Sequence, residues 1–202
     1  FGTGNTLISG DALLNMKSVM PIDTEDNINI YEHPKHGHDY IIAVDVSKGR
    51  NLDYSTFNVI DISTRPFKQV CTYRSNKISP ILFPNIIHKW AVKYNDAYVL
   101  VESNDAGSVV ANGLYYDIEY ENVHVESMVK ANSIGITMNR KVKRIGCSNL
   151  KDLVEENRLL LVDSETIAEC STFEAKRDSY EATDGNHDDL VMNLVLFAFY
   201  VG

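Results

Sequence analysis

The sequence is short of several features that would point elsewhere. Its three cysteines, Cys71, Cys147 and Cys170, are far apart, odd in number and without C-x-x-C spacing. That excludes a disulfide framework, a zinc clip and a dithiol redox pair, and makes a reducing cytoplasm the expected setting. The longest apolar run, Leu190 to Val201, is interrupted by Asn193 and falls short of the roughly 20 residues that span a bilayer. The opening FGTGNTLISGD has neither the basic region nor the continuous apolar region of a secretory signal, and it does not start with Met. A piece of a longer protein is therefore expected, with sequence missing upstream. No G-x-x-x-x-G-K-[ST] occurs, so the loop that cradles nucleotide phosphates is absent. Basic residues are also in deficit, 19 against 28 acidic, for a net charge of -9. A chain that grips nucleic acid over its whole surface is excluded; a local basic patch, or an acidic site that holds cations, is not.

What is present is the balance of one soluble globular domain: 202 residues, 44% hydrophobic and 23% charged. YIIAVD (Tyr40 to Asp45) is a buried-strand pattern, and STFNVIDI (Ser55 to Ile62) and KQVCTYR (Lys68 to Arg74) continue it as a meander. The period then changes. Ile86, Ile87, Trp90, Ala91 and Tyr94 recur at helical spacing behind Pro84. YVLVES (Tyr98 to Ser103) predicts a strand, GSVVANGLYYD (Gly107 to Asp117) a helix and NVHVES (Asn122 to Ser127) a short strand. Ser148 is placed to cap a helix over SNLKDLVEEN. RLLLVD is a further strand, SETIAEC a short helix, STFEAKRDSYEA an exposed strand or hairpin, and DDLVMNLVLFAFY a closing apolar helix in which Phe197, Phe199 and Tyr200 sit at core spacing. The order predicts an α/β domain, a mixed sheet with helices on both faces, over 39–202. Residues 1–38 are less regular and are expected to be a linker or extension packing on that domain, with one helix in ISGDALLNMKS.

Carboxylates end apolar elements where core packing gives no reason for charge: Asp45 after IIAV, Glu102 after YVLV, and Asp188 and Asp189 at the start of the last helix. Adjacent strands ending at one sheet edge bring such residues together, and a helix across the edge delivers a third. Acids that meet are either protonated or hold cations, and hard divalent ions, Mg²⁺ or Mn²⁺, suit them. Two such ions about 4 Å apart support phosphodiester cleavage. Each acid taken alone is more at home as a strand-end turn residue or a helix cap, and it is their combination in this topological order that reverses the reading.

DVSKGRNLDYS (Asp45 to Ser55), VLVESNDAG (Val99 to Gly107) and GNHDDLVMNLVLFAF (Gly185 to Phe199) resemble, in order, the three nuclease motifs of the large terminase subunit of tailed bacteriophages, with most likeness to the T-even-like group. KRIGCSNLKDLVEENRLLL extends the similarity, which covers most of the chain from about Tyr40. The resemblance implies a ribonuclease H-like (RuvC-like resolvase) fold and an endonuclease that cuts concatemeric double-stranded viral DNA at the initiation and termination of packaging. It implies catalytic and metal-holding roles for Asp45, Glu102 and the Asp188–Asp189 pair, with Asp189 favoured as the main ligand. It also implies an upstream ATPase domain, a portal ring and a small terminase subunit as partners, in host cytoplasm and transiently at the prohead vertex.

Asp53, eight residues beyond Asp45, is either part of the ions' surroundings or a turn residue. His187 is placed for proton transfer or for a capping role. His33, His36 and His38 lack the partners that would complete a zinc tetrahedron, which favours a solvated loop. Arg140, Lys141, Lys143 and Arg144, with Lys130 upstream, form the densest basic run, a candidate contact to DNA phosphates or a solvated charged loop. Two other readings share these features: a junction resolvase or exonuclease of the same fold, and a non-catalytic module docking DNA or portal.

Overall fold

The computed structural model describes residues 4–48, 52–127, 129–130 and 133–202; residues 49–51 of the first acidic motif lie outside them. The order is α1 (Gly10–Asn15), β1 (Asp23–Glu25), β2 (Ile28–Ile30), β3 (Tyr40–Asp45), β4 (Ser55–Asp61), β5 (Phe67–Ser75), α2 (Phe83–Lys93), β6 (Tyr98–Val101), α3 (Ala106–Asn112) with a π-helical turn (Gly113–Asp117), α4 (Arg140–Glu155), β7 (Leu159–Leu160), α5 (Ser164–Thr172), β8 (Phe173–Lys176), β9 (Ser179–Ala182) and α6 (Asp189–Val201). Strands run β1-β2-β5-β4-β3-β6, with β7 beside β5 and β8–β9 a separate hairpin. β3, β4 and β5 form the antiparallel meander, while β6 lies parallel to β3 and β7 parallel to β5. The sheet is mixed, as the element order predicted.

Successive strand side chains point to opposite faces, and the sequence supplies both with apolar residues. Ile42, Val44, Phe57, Val59, Tyr73, Val99 and Val101 share one core with α2, α3 and the π turn. Ile41, Ala43, Ile60 and Leu100 share the other with α4, α5 and α6. Gly146 lets α4 and α6 meet closely, because a Cβ there would fall 2.5 Å from the Val195 carbonyl oxygen.

Four differences from the sequence reading matter. α4 begins at Arg140, not after Ser148, and its cap is Asn139, whose Oδ1 accepts from Val142 N at 2.9 Å. Four cations and a glycine dilute the apolar period of its first turns, although Val142, Gly146, Cys147 and Leu150 mark the buried face. The basic run is therefore helical rather than a loop. Residues 23–30, expected within a linker or extension, supply two sheet strands, with Ile28 and Ile30 buried. Residues 122–127 form only isolated bridges, at Val123 and Val125. Strand pairing over RLLLVD is confined to Leu159–Leu160.

Candidate active site

Asp45 and Glu102 end neighbouring parallel strands. Val44 pairs in register with Val101, and Glu102 donates its N–H to the Val44 carbonyl at 3.1 Å. Ile41, Ala43 and Asp45 alternate onto the α6 face, as do Leu100 and Glu102, so both carboxylates rise from the same side of the sheet. Glu102 holds this position because α3 starts against its backbone: a Cβ on Gly107 would lie 1.7 Å from the Glu102 carbonyl oxygen. Next to them, Asn104 ties the loop to the start of α4, donating to the Met138 carbonyl at 2.8 Å and accepting its N–H at 2.7 Å.

A buried polar network lays the start of α6 over the same edge. Thr56, directly opposite Asp45 on β4, donates its hydroxyl to the Asp189 carbonyl at 2.9 Å. Asn58 donates to the Leu190 carbonyl at 3.2 Å and to Asn193 Oδ1 at 2.6 Å, and Asn193 donates back to Thr56 at 3.0 Å. Leu190 N donates to Glu169 Oε2 at 2.8 Å, so a carboxylate of α5 takes up an N–H in the first turn of α6. Asp189 Oδ2 accepts the Tyr54 N–H at 3.3 Å, and Asp188 Oδ2 accepts the Ala182 N–H of β9 at 3.0 Å.

The outcome is one cleft of about 540 Å³ lined by Asp45, Asp53, Glu102, Asp188 and Asp189, with Lys48 at its side. Asp45 is pushed well above the usual carboxylate range, by burial first and then by the charges of Glu102, Asp189 and Asp188, with its hydrogen bond to Glu102 adding to the rise. Glu102 is also raised, chiefly by burial, with the hydrogen bond from Asp45 and the charge of Lys143 opposing. Burial lifts Asp189 to about 6 against the Tyr54 N–H, with Asp188 and Asp53 adding to the rise. Among the described residues, no three Asp, Glu, His or Cys side chains already enclose a point at metal-ligand distance. The site is a gathering of oxygen donors whose charges need neutralising. That donor chemistry fits a hard divalent cation.

His187 stands beside the cleft, its Nδ1 3.8 Å from Asp189 Oδ2 and its ring edge-on to Tyr54 at 5.0 Å. Asp53 is exposed at the rim. Arg140, Lys143 and Arg144 share one face of α4, whereas Lys141 and Lys130 line neither this cleft nor the neighbouring groove. His33 and His36 belong to the loop before β3, and His38 pairs with Asp61 at 2.8 Å. Sequence reasoning missed Glu169, buried and raised to about 8 by desolvation and then by the charge of Asp189. It also missed Arg74, whose register partner on β4 is Thr56. Arg74 thereby continues the row Glu102, Asp45, Thr56 across the sheet. A polar residue at the end of an apolar strand was the available signal for Arg74; for Glu169, inside a short helix, there was none.

Acids at the ends of adjacent parallel strands of a mixed sheet, faced by an acidic pair opening a helix, define a ribonuclease H-like domain. The chain belongs to the family described as the terminase RNaseH-like domain, which matches residues 42–199. It is 28% identical over 199 residues to the large terminase subunit of Thermus virus P23-45 and 27% to that of Thermus phage G20c, covering 95% of this chain and 37% of each relative. The chain thus spans little more than a third of these relatives. The fold superposes on the large terminase nuclease of phage G20c with bound magnesium (TM-score 0.78, 24% identity, 98% of both chains). It also superposes on the nuclease domain of Thermus phage P74-26 (TM-score 0.71, 25% identity, 95% of this chain and 93% of that one).

Proposed function

We propose that this chain is the metal-dependent endonuclease domain of a viral DNA-packaging terminase, cutting concatemeric double-stranded DNA when packaging starts and ends. The observation that carries this reading is the convergence of Asp45, Glu102, Asp188 and Asp189 in one cleft. The G20c nuclease is known with magnesium, cobalt and zinc bound, which supports a divalent ion here. Asp45, Glu102 and Asp189, with Asp188, would hold one or two Mg²⁺ or Mn²⁺ ions. Such ions activate water and stabilise the leaving oxygen of a phosphodiester.

The chain's own residues prepare the site for that chemistry. A cation held there would favour the ionised forms of Asp45 and Glu102, whose proton affinity burial raises, and both carboxylates would then serve as donors. The Tyr54 N–H holds one oxygen of Asp189 and leaves the other to the cleft. Ala182 does the same for Asp188. His187, its Nδ1 3.8 Å from Asp189 Oδ2, is placed beside the cleft to pass a proton to or from the reacting groups. In the full-length protein an upstream ATPase domain supplies the motor, consistent with the large terminase of a thermophilic bacteriophage solved in complex with ADP, of which this chain covers 42%. The portal ring and small subunit would be its partners at the prohead vertex in the host cytoplasm.

Nicking of supercoiled plasmid tests the reading. It should require Mg²⁺ or Mn²⁺, stop with chelator and need no ATP. DNA binding without any metal-dependent cutting would favour a docking module. Strong preference for branched or terminated DNA would favour a resolvase or exonuclease.

A further inference from the structure

Beside the acidic cleft runs a second concavity of about 640 Å³, between α4 and the β8–β9 hairpin. Six of the chain's 19 Lys and Arg side chains line it: Arg140, Lys143, Arg144 and Lys151 from α4, and Lys176 and Arg177 from the hairpin. Asp178 is the one acid among its lining residues. In a chain of net charge -9, such a concentration makes a local positive field that the rest of the surface opposes. Spacings of three, four and seven place Arg140, Lys143, Arg144 and Lys151 along one helical face. Two of the six are engaged: Lys151 pairs with Glu155 at 2.9 Å and donates to the Leu7 carbonyl at 3.1 Å, and Lys176 pairs with Glu181. Arg140, Arg144 and Arg177 make no ion pair among the described residues.

The groove adjoins the cleft, because Ala182, at the end of the hairpin strand β9, donates its N–H to Asp188 Oδ2 at 3.0 Å. The Asn104–Met138 hydrogen bonds fix the loop after Glu102 to the residues that open α4, so the two concavities share a wall. Guanidinium groups present paired N–H donors that match phosphate oxygens, and a backbone contact needs no base code.

We infer that this groove carries the phosphate backbone of duplex DNA running from the acidic cleft, gripped by Arg140, Lys143 and Arg144 on one wall and by Lys176 and Arg177 of the hairpin on the other. The inference rests on the nuclease reading for its ligand, and it adds the hairpin as half of the grip. An acidic domain would then hold an acidic polymer by one short basic track beside its cation site.

The test is the salt dependence of binding to a short duplex in Mg²⁺, with all proteins carrying Asp189→Asn so that the DNA stays whole. The double variant Lys176→Gln/Arg177→Gln should bind more weakly whatever the sequence. Its slope of log K against log salt should fall in magnitude by about 1.8, the value for two lost phosphate contacts. A charge-matched control, Lys77→Gln/Lys93→Gln, lies at and beside α2 on the opposite face of the sheet and should keep the full slope. An unchanged slope in the hairpin variant, or an equal fall in the control, overturns the inference. Plasmid nicking by the wild-type chain reads the nuclease proposal separately, since its failure leaves the comparison of slopes intact.

Discussion

The guanidinium of Arg74 lies 3.5 Å from the centre of the Tyr54 ring, and Tyr54 is the residue whose N–H reaches Asp189. Arg74 Nε is buried without a hydrogen-bond partner among the described residues, an arrangement that costs stability unless the cation is useful where it stands. Its charge offsets part of the rise at Glu169, and its flat face braces the segment that orients Asp189. Arg74→Ala should therefore weaken Mn²⁺ binding in a calorimetric titration, besides lowering metal-free stability by about 1–2 kcal/mol. Arg74→Lys, which keeps the charge and loses the planar stack, should fall between. Wild-type Mn²⁺ affinity in Arg74→Ala would reduce the stack to a brace for the fold alone.

The raised acids set the pH dependence of the metal-free chain. Glu169 binds its proton more tightly when folded, at about 8, than at its ordinary value of 4.5, and Asp189, at about 6 against 3.8, behaves alike. Their contribution is full below the unfolded values and is lost as pH rises through the folded ones, by at most about 1.4 kcal/mol for each tenfold difference in proton affinity. Urea unfolding without metal should show stability falling between pH 4.5 and 8. Glu169→Gln, which keeps an acceptor for the Leu190 N–H, should be the more stable protein at pH 8 and show a shallower slope. A constant difference between the two proteins at every pH would mean that Glu169 does not titrate in this range.

Replacing a carboxylate of the cleft separates chemistry from folding. Asp45→Asn, Glu102→Gln and Asp189→Asn should each reduce nicking by more than the roughly 10–100-fold typical of losing a ligand's outer partner. Each also removes one of several like charges, so melting temperature in chelator should stay level or rise. Near-wild-type cutting by any of the three would take that residue out of the mechanism, and a collapse of folding would make it a structural residue.

How much of this was legible in the sequence depends on whether a residue's role is local. Asp45 and Glu102 stood out because charge interrupts β-branched runs, and strand alternation then placed both on one face. The acid pair of α6 stood out because it opens an apolar helix. Glu169 did not, since an acid in a short helix is ordinary until α6 packs on it. Arg74 became part of the site only through register, Asp45 opposite Thr56 and Thr56 opposite Arg74. The first turns of α4 were not recognised because Gly146, unfavourable to an isolated helix, is used for contact with Val195. Strands β1 and β2 were missed because three-residue segments carry too little alternation to register.

Gly107 links backbone packing to the chemistry most directly. It sits at the start of α3, where a Cβ would fall 1.7 Å from the carbonyl oxygen of Glu102 and 2.8 Å from its carbonyl carbon. Backbone atoms cannot swing aside as a flexible side chain can, so Gly107→Ala must move either α3 or the end of β6. Overpacking of this kind costs about 1–3 kcal/mol. Here the displaced group carries a cleft carboxylate, so nicking and Mn²⁺ affinity should fall further than the stability loss alone explains. Gly4→Ala provides the contrast, with nothing within 4 Å of its Cβ, and should leave melting temperature and nicking unchanged. If Gly107→Ala lost stability and yet cut DNA at the wild-type rate when fully folded, the position of Glu102 would not depend on the packing of α3 behind it.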